Sequence, residues 1–142
     1  MLSSMDSYGG RALICAAPET VWAVITDSAG YPEWDSGIAG LIGDIGHGQS
    51  IRVRPAGLAR PVTVAVHRYG DGAMSWTFRL PGRLFKAVRT ITVRAENGKT
   101  RLVVRDDFTG PLRTLIQKHN PGLSRSADRF ACGVRARAEK LS

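Results

Sequence analysis

An arginine and an aspartate facing each other on the apolar side of a β-hairpin can serve as a structural tie or as the polar end of a binding cavity. This chain offers such a pair. Asn97-Gly98 is the favoured dipeptide of a two-residue type I′ turn, in which both central residues take positive φ. A turn centred there makes Val93 face Leu102, Ile91 face Val104 and Arg89 face Asp106, all on one side of the ribbon. Arg94, Arg101 and Arg105 then point to solvent. A charge on the inner face of a sheet is costly unless it is paired. A guanidinium held by a carboxylate keeps N–H groups for a carbonyl, carboxylate or phosphate of a ligand. Trp76 and Phe78, in phase on one strand, are the aromatic candidates for apolar contact with such a ligand, joined by Ile91, Val104 and Phe130.

Other reactive side chains are dispersed. His67 alternates with Thr63, Ala65 and Tyr69 and is expected on the outer face; His47 sits in a Gly-His-Gly turn, and His119 ends a helix. With no cysteine or carboxylate at ligand spacing beside them, these histidines do not read as a metal site. There is no GxSxG, phosphate-binding P-loop or GxGxxG, and no cofactor is expected. Cys15 and Cys132 are too few and too isolated for a disulfide framework and read as reduced, buried thiols of a cytoplasmic protein.

The elements that must hold these groups follow from periodicity. With 142 residues, 43% of them hydrophobic and 23% charged, the chain fits a single globular domain over 1–142 and excludes a disordered one. No apolar run is long enough to span a bilayer, and the opening MLSSMDSYGGR lacks the basic start and apolar stretch of a leader, so neither membrane insertion nor secretion is expected. A first strand is predicted over Tyr8 to Ala16, a helix from Pro18 through Val21, Trp22, Val24 and Ile25, and a short helical turn at Tyr31-Pro32-Glu33-Trp34. A period of two then predicts strands at Ile38 to Ile45, Ser50 to Pro55, Pro61 to Tyr69, Ala73 to Leu80, Phe85 to Ala95 and Thr100 to Thr109. Helical spacing returns at Leu112, Leu115 and Ile116. A longer helix follows, with Asn120 as its N-cap and Pro121 at its first position. Leu123, Ala127, Phe130, Ala131, Val134, Ala138 and Leu141 form its apolar stripe, and Arg125, Arg129, Arg135, Arg137 and Lys140 lie elsewhere. The order is α+β: an antiparallel meander covered on its concave side by the last helix, an arrangement that leaves room for a small-molecule cavity.

Four segments resemble the START-like or SRPBCC superfamily, in its polyketide cyclase/dehydrase and lipid-transport branch. APETVWAVITD (17–27) is similar to its first helix, YPEWDSGI (31–38) to its short second helix, RLFKAVRTITV (83–93) to its sixth strand and RDDFTG (105–110) to the end of its seventh. The resemblance implies a helix-grip fold, a curved seven-stranded antiparallel sheet wrapped around the C-terminal helix, with two short helices between strands one and two and a hydrophobic cavity inside. Many relatives carry Asn-Pro where this chain has Asp35-Ser36, and histidine where it has Arg89. That second change replaces a group titrating near neutrality with a permanent cation, so no histidine proton transfer carries over.

Three functions follow. The leading one is binding of a small hydrophobic or amphipathic molecule, lipid- or polyketide-like, with Arg89 fixing its polar end. The second is a cyclase or dehydratase in which Arg89 polarises a ketone and Asp106 orients it or takes a proton. The third arises from 20 lysines and arginines against 12 acids, a net charge of +8, and is an acidic protein partner on the basic face of the last helix. Nucleic acid is disfavoured because the strands lack interleaved exposed aromatics.

Overall fold

Alternating apolar and polar residues from Ile38 onward, punctuated by glycine and proline, generate a run of hairpins. The computed structural model describes residues 5–70 and 72–142. Residues 1–4 of the opening segment and Asp71 lie outside the described residues. The elements are β1 (Met5–Ile14), α1 (Pro18–Thr26), a 3-10 turn at Ser28–Glu33, β2 (Ile38–Ile42), β3 (Ser50–Pro55), β4 (Val62–Gly70) and β5 (Ala73–Arg79). A second 3-10 turn at Pro81–Arg83 leads into β6 (Lys86–Glu96), β7 (Lys99–Thr109), α2 (Arg113–His119) and α3 (Leu123–Leu141). One sheet of seven strands has the order β1-β7-β6-β5-β4-β3-β2, with every pair antiparallel.

The β6–β7 ribbon behaves as its turn dictates. Asn97 and Gly98 have φ of 51° and 78°, the left-handed values that a type I′ turn requires. The ladder runs without a shift from Glu96↔Lys99 to Lys86↔Thr109 and sets Arg89 opposite Asp106.

Helix α3 fills the concave side. Ala127, Phe130, Ala131, Val134 and Ala138, spaced at three and four residues, are fully buried. Burying Phe130 alone removes enough apolar surface to contribute roughly 2–3 kcal/mol. The small residues let the backbones approach. A Cβ on Gly10 of β1 would lie 2.5 Å from the Asp128 Cα, and one on Gly133 would overlap the Asp35 carbonyl.

Four expectations change. β2 stops at Ile42 rather than Ile45, because the chain leaves the sheet at Gly43, whose φ is 120°. Asn120 does not cap α3. Its side-chain amide donates to the Ile116 carbonyl at 2.8 Å, closing the end of α2, and its own carbonyl accepts the Leu123 N–H at 3.0 Å. Pro121-Gly122 therefore forms the corner, and α3 starts at Leu123. Cys15 and Cys132 are exposed rather than buried, Cys132 because it falls between Ala131 and Gly133, just off the packed stripe. Leu141, assigned to that stripe, is 55% exposed in the last turn.

The basic side of α3 is largely matched by acids. Arg129 meets Asp35 at 2.8 Å, Arg137 meets Glu33 at 3.3 Å and Arg135 meets Glu139 at 3.5 Å. No described helix is long and apolar enough to cross a membrane.

Candidate ligand site

The ladder brings Arg89 and Asp106 side by side, and the rotamers join them as a two-point fork. Arg89 Nε donates to Asp106 Oδ1 at 2.7 Å and Nη2 donates to Oδ2 at 2.8 Å. The side chains are only 12% and 6% exposed, so each charge depends on the other. Helix α3 adds two contacts. Arg89 Nη2 also donates to Ser126 Oγ at 2.8 Å, and the guanidinium carbon lies 5.1 Å from the centroid of the Phe130 ring. Nε and Nη2 are thereby engaged, while Nη1 makes no hydrogen bond with a described residue.

Across the sheet, β5 sets Trp76 directly opposite Arg89. The Trp76 indole Nε1 is buried and has no hydrogen-bond partner. Two neighbouring side chains thus carry unmet N–H groups. Both border a cavity of about 180 Å³. Val64, Trp76, Phe78 and Phe108 form its sheet wall; Phe85 borders it just before β6, Leu58 closes in from the β3–β4 loop, and Ile116 and Leu123 from the two C-terminal helices. Arg89 and Asp106 are the ionisable groups among its lining residues.

Behind this wall lies Tyr31, which is 3% exposed. Its hydroxyl donates to the Ile25 carbonyl at 2.6 Å. Burial pushes the phenol far above its ordinary range, against the opposing pull of the Arg89 charge, so it stays neutral at physiological pH.

Of the residues singled out in the sequence, Arg89, Asp106, Trp76 and Phe78 come together on one cavity. Ile91, Val104 and Phe130 do not line it: all three are fully buried, the first two in the sheet's packed layer and Phe130 beneath the guanidinium. The inner face of β6 and β7 changes along its length from solid core at Ile91 and Val104 to cavity wall at Arg89, Asp106 and Phe108, because α3 covers only the first part closely. Ser126 and Tyr31 were missed. Ser126 lies three residues after Leu123 and four before Phe130, on the same helix face, so helical spacing points to it. Nothing in the local sequence places Tyr31 behind Trp76.

The histidines lie elsewhere. His47 and His67 pack with ring centroids 4.6 Å apart, His67 meets Tyr69 at 4.3 Å, and all three side chains are exposed. Among the described residues no cluster of three or more histidines, cysteines and carboxylates could hold a metal ion.

Residues 10–139 match the family described as polyketide cyclase / dehydrase and lipid transport. No curated protein is similar to the chain at a significant level. Solved structures share its architecture. The KanY protein aligns at 20% identity over 96% of this chain and 99% of its own, with a TM-score of 0.73. A point mutant of norcoclaurine synthase from Thalictrum flavum, in complex with a transition-state analogue, aligns at 12% identity over 99% of both chains, with a TM-score of 0.71. A START superfamily protein from Mycobacterium smegmatis aligns at 18% identity over 99% of this chain and 100% of its own, with a TM-score of 0.62. At these identities the likeness is one of fold, the helix-grip arrangement of a curved antiparallel sheet around a C-terminal helix. Carried by the match along nearly its whole length, the chain belongs to the polyketide cyclase / dehydrase and lipid transport family.

Proposed function

We propose that this protein binds a small, mainly apolar molecule bearing one carbonyl or carboxylate, whose oxygen is received between Arg89 Nη1 and Trp76 Nε1. The observation that supports this reading most strongly is the buried, unpartnered Trp76 Nε1 beside Arg89, whose Nη1 makes no hydrogen bond with a described residue, both residues lining an otherwise apolar cavity. A buried donor without a partner costs about 1–3 kcal/mol, which an acceptor on the ligand recovers on binding. Arg89 is already oriented by Asp106 and Ser126, so little side-chain ordering remains to be done. Phe78, Phe85 and Phe108 supply the apolar contact.

Catalysis is the weaker reading. Both oxygens of Asp106 accept from Arg89, no histidine borders the cavity, and the Tyr31 hydroxyl is committed to a backbone carbonyl. The site polarises and positions, but a free general base is not among its lining residues. An acidic partner on α3 is likewise weakened, since Arg129, Arg135 and Arg137 already meet acids of this chain. Two free, exposed cysteines suit a reducing compartment, which favours the cytoplasm.

The test is a calorimetric comparison of 2-naphthoate, 2-acetylnaphthalene and 2-ethylnaphthalene. The two oxygen-bearing probes bind about tenfold or more tightly than the hydrocarbon, and Arg89→Met abolishes the difference. Equal affinity for all three would overturn the assignment of the donors. Turnover of a poly-β-ketone, lost in Asp106→Asn, would move the conclusion to the enzyme.

A further inference from the structure

The positive charge of this chain is concentrated around the mouth of the cavity. Three stretches meet there: 52–62 from β3 to the start of β4, 77–88 from the end of β5 into β6, and 108–127 from the end of β7 into α3. Together they hold nine lysines and arginines and no aspartate or glutamate. Their meeting is physical: the Leu112 N–H donates to the Leu84 carbonyl at 3.0 Å, and Leu58, Phe85, Ile116 and Leu123 border one cavity. Arg60, Arg79, Arg83, Lys118 and Arg125 are exposed and form no ion pair with a described residue. Of the acids that flank these stretches, Asp107 pairs with Arg105 at 2.8 Å, Asp6 with Arg113 at 3.3 Å and Asp35 with Arg129, while Asp128, next along α3, is exposed and forms no ion pair with a described residue.

Between these cations two aliphatic side chains stand in water. Leu84, on the turn before β6, is 42% exposed, and Leu115, on the outer side of α2, is 51% exposed. The Leu112–Leu84 hydrogen bond keeps the turn and the helix adjacent, so both leucines belong to the same end.

We propose that this end docks on an anionic lipid bilayer, with Leu84 and Leu115 entering the boundary between headgroups and acyl chains and the surrounding cations facing acidic headgroups. The argument is one of complementarity. A bilayer surface offers diffuse negative charge above an apolar layer, matching unpaired cations around protruding leucines. A nucleic acid would leave both leucines without a role, and this end exposes no phenylalanine, tyrosine or tryptophan on which a base could stack. Docked this way, the cavity mouth faces the membrane, a route for an apolar molecule that avoids water. The proposal stands on the surface alone and does not depend on the ligand reading of the cavity.

Flotation of the full chain with vesicles tests it. Phosphatidylcholine vesicles containing phosphatidylglycerol retain the protein, pure phosphatidylcholine vesicles do not, and retention falls as salt rises. Charge reversal in Arg83→Glu with Lys118→Glu weakens retention about tenfold. Leu84→Ser with Leu115→Ser weakens it at unchanged charge, whereas Lys99→Glu at the opposite end of the sheet leaves it intact. All variants change exposed positions, and unchanged thermal unfolding verifies their fold. Absence of binding, equal retention by neutral vesicles, or insensitivity to the leucine pair would overturn the proposal. So would release by inorganic phosphate at constant ionic strength, or binding to duplex DNA in place of vesicles.

Discussion

The Arg89 guanidinium carbon lies 5.1 Å from the centroid of the Phe130 ring, with helix α3 beneath it and the β6–β7 ribbon beside it. Asp106 holds one edge of the guanidinium and Ser126 accepts from Nη2, so the cation is clamped by both the sheet and the helix. The group that gives the cavity its polar end therefore also ties α3 to β6 and β7. The proposed ligand contact and the tie between sheet and helix thus fall on the same side chain.

Removing one partner leaves the other as an uncompensated, nearly buried charge. Asp106→Ala should lower the unfolding free energy by about 3–5 kcal/mol, while Arg89→Met combined with Asp106→Leu recovers most of the loss. Urea unfolding of the wild type, both single variants and the double variant measures the coupling. Additivity within about 0.5 kcal/mol would show that the fork contributes nothing.

Trp76→Phe deletes a buried donor that has no hydrogen-bond partner among the described residues. The loss of ring volume is offset by relief of the unmet N–H, so stability should fall by less than about 1.5 kcal/mol. Affinity for 2-acetylnaphthalene should drop by several-fold, and affinity for 2-ethylnaphthalene should stay nearly unchanged. An equal loss for both probes in calorimetry would assign Trp76 a purely apolar role.

Gly133 sits inside α3, where exchange of glycine for alanine normally favours a helix by about 0.5–1 kcal/mol. Here the added methyl would meet the Asp35 carbonyl and approach Trp34 Cε3 at 3.1 Å. Gly133→Ala should therefore destabilise the fold by about 1–3 kcal/mol, read as a lower denaturant midpoint. A stabilised variant would mean that the Trp34-Asp35 segment and α3 are not in close contact.

Tyr31 links stability to alkaline pH. Its folded ionisation lies well above the ordinary 10.0 because the ring is buried. The unfolded chain releases this proton near pH 10.0 while the folded chain retains it, so above that point the folded state binds more protons and stability falls. The contribution is fully present below the ordinary tyrosine value and declines as pH rises past it. Tyr31→Phe should be less stable than the wild type by about 1 kcal/mol at neutral pH, from loss of the bond to Ile25. That gap should narrow at alkaline pH. A gap that stays constant or widens in pH-dependent unfolding would contradict a buried, neutral phenol.

Much of this architecture was legible because it is local. The Asn97-Gly98 turn set the register, and a period of two then placed Arg89 against Asp106 without any knowledge of distant contacts. The stripe from Ala127 to Ala138 identified the buried face of α3 for the same reason, since helical spacing is a property of neighbours along the chain. Ser126 was equally accessible from that spacing. The segments similar to known helices and strands added the order in which these pieces assemble.

What the chain could not disclose locally is how closely distant elements approach one another. Ile91, Val104, Arg89 and Asp106 share one face and one alternation, yet Ile91 and Val104 are sealed in the core while Arg89 and Asp106 border a cavity. The difference comes from where α3 lies against the curved sheet, set by contacts such as Gly10 against Asp128 and Gly133 against Asp35. Tyr31 behind Trp76, the exposure of both cysteines and the pairing of the α3 arginines with acids from the segment before β2 have the same origin. Periodicity decides which face a side chain occupies; only packing between elements far apart in sequence decides whether that face meets solid core, cavity or water.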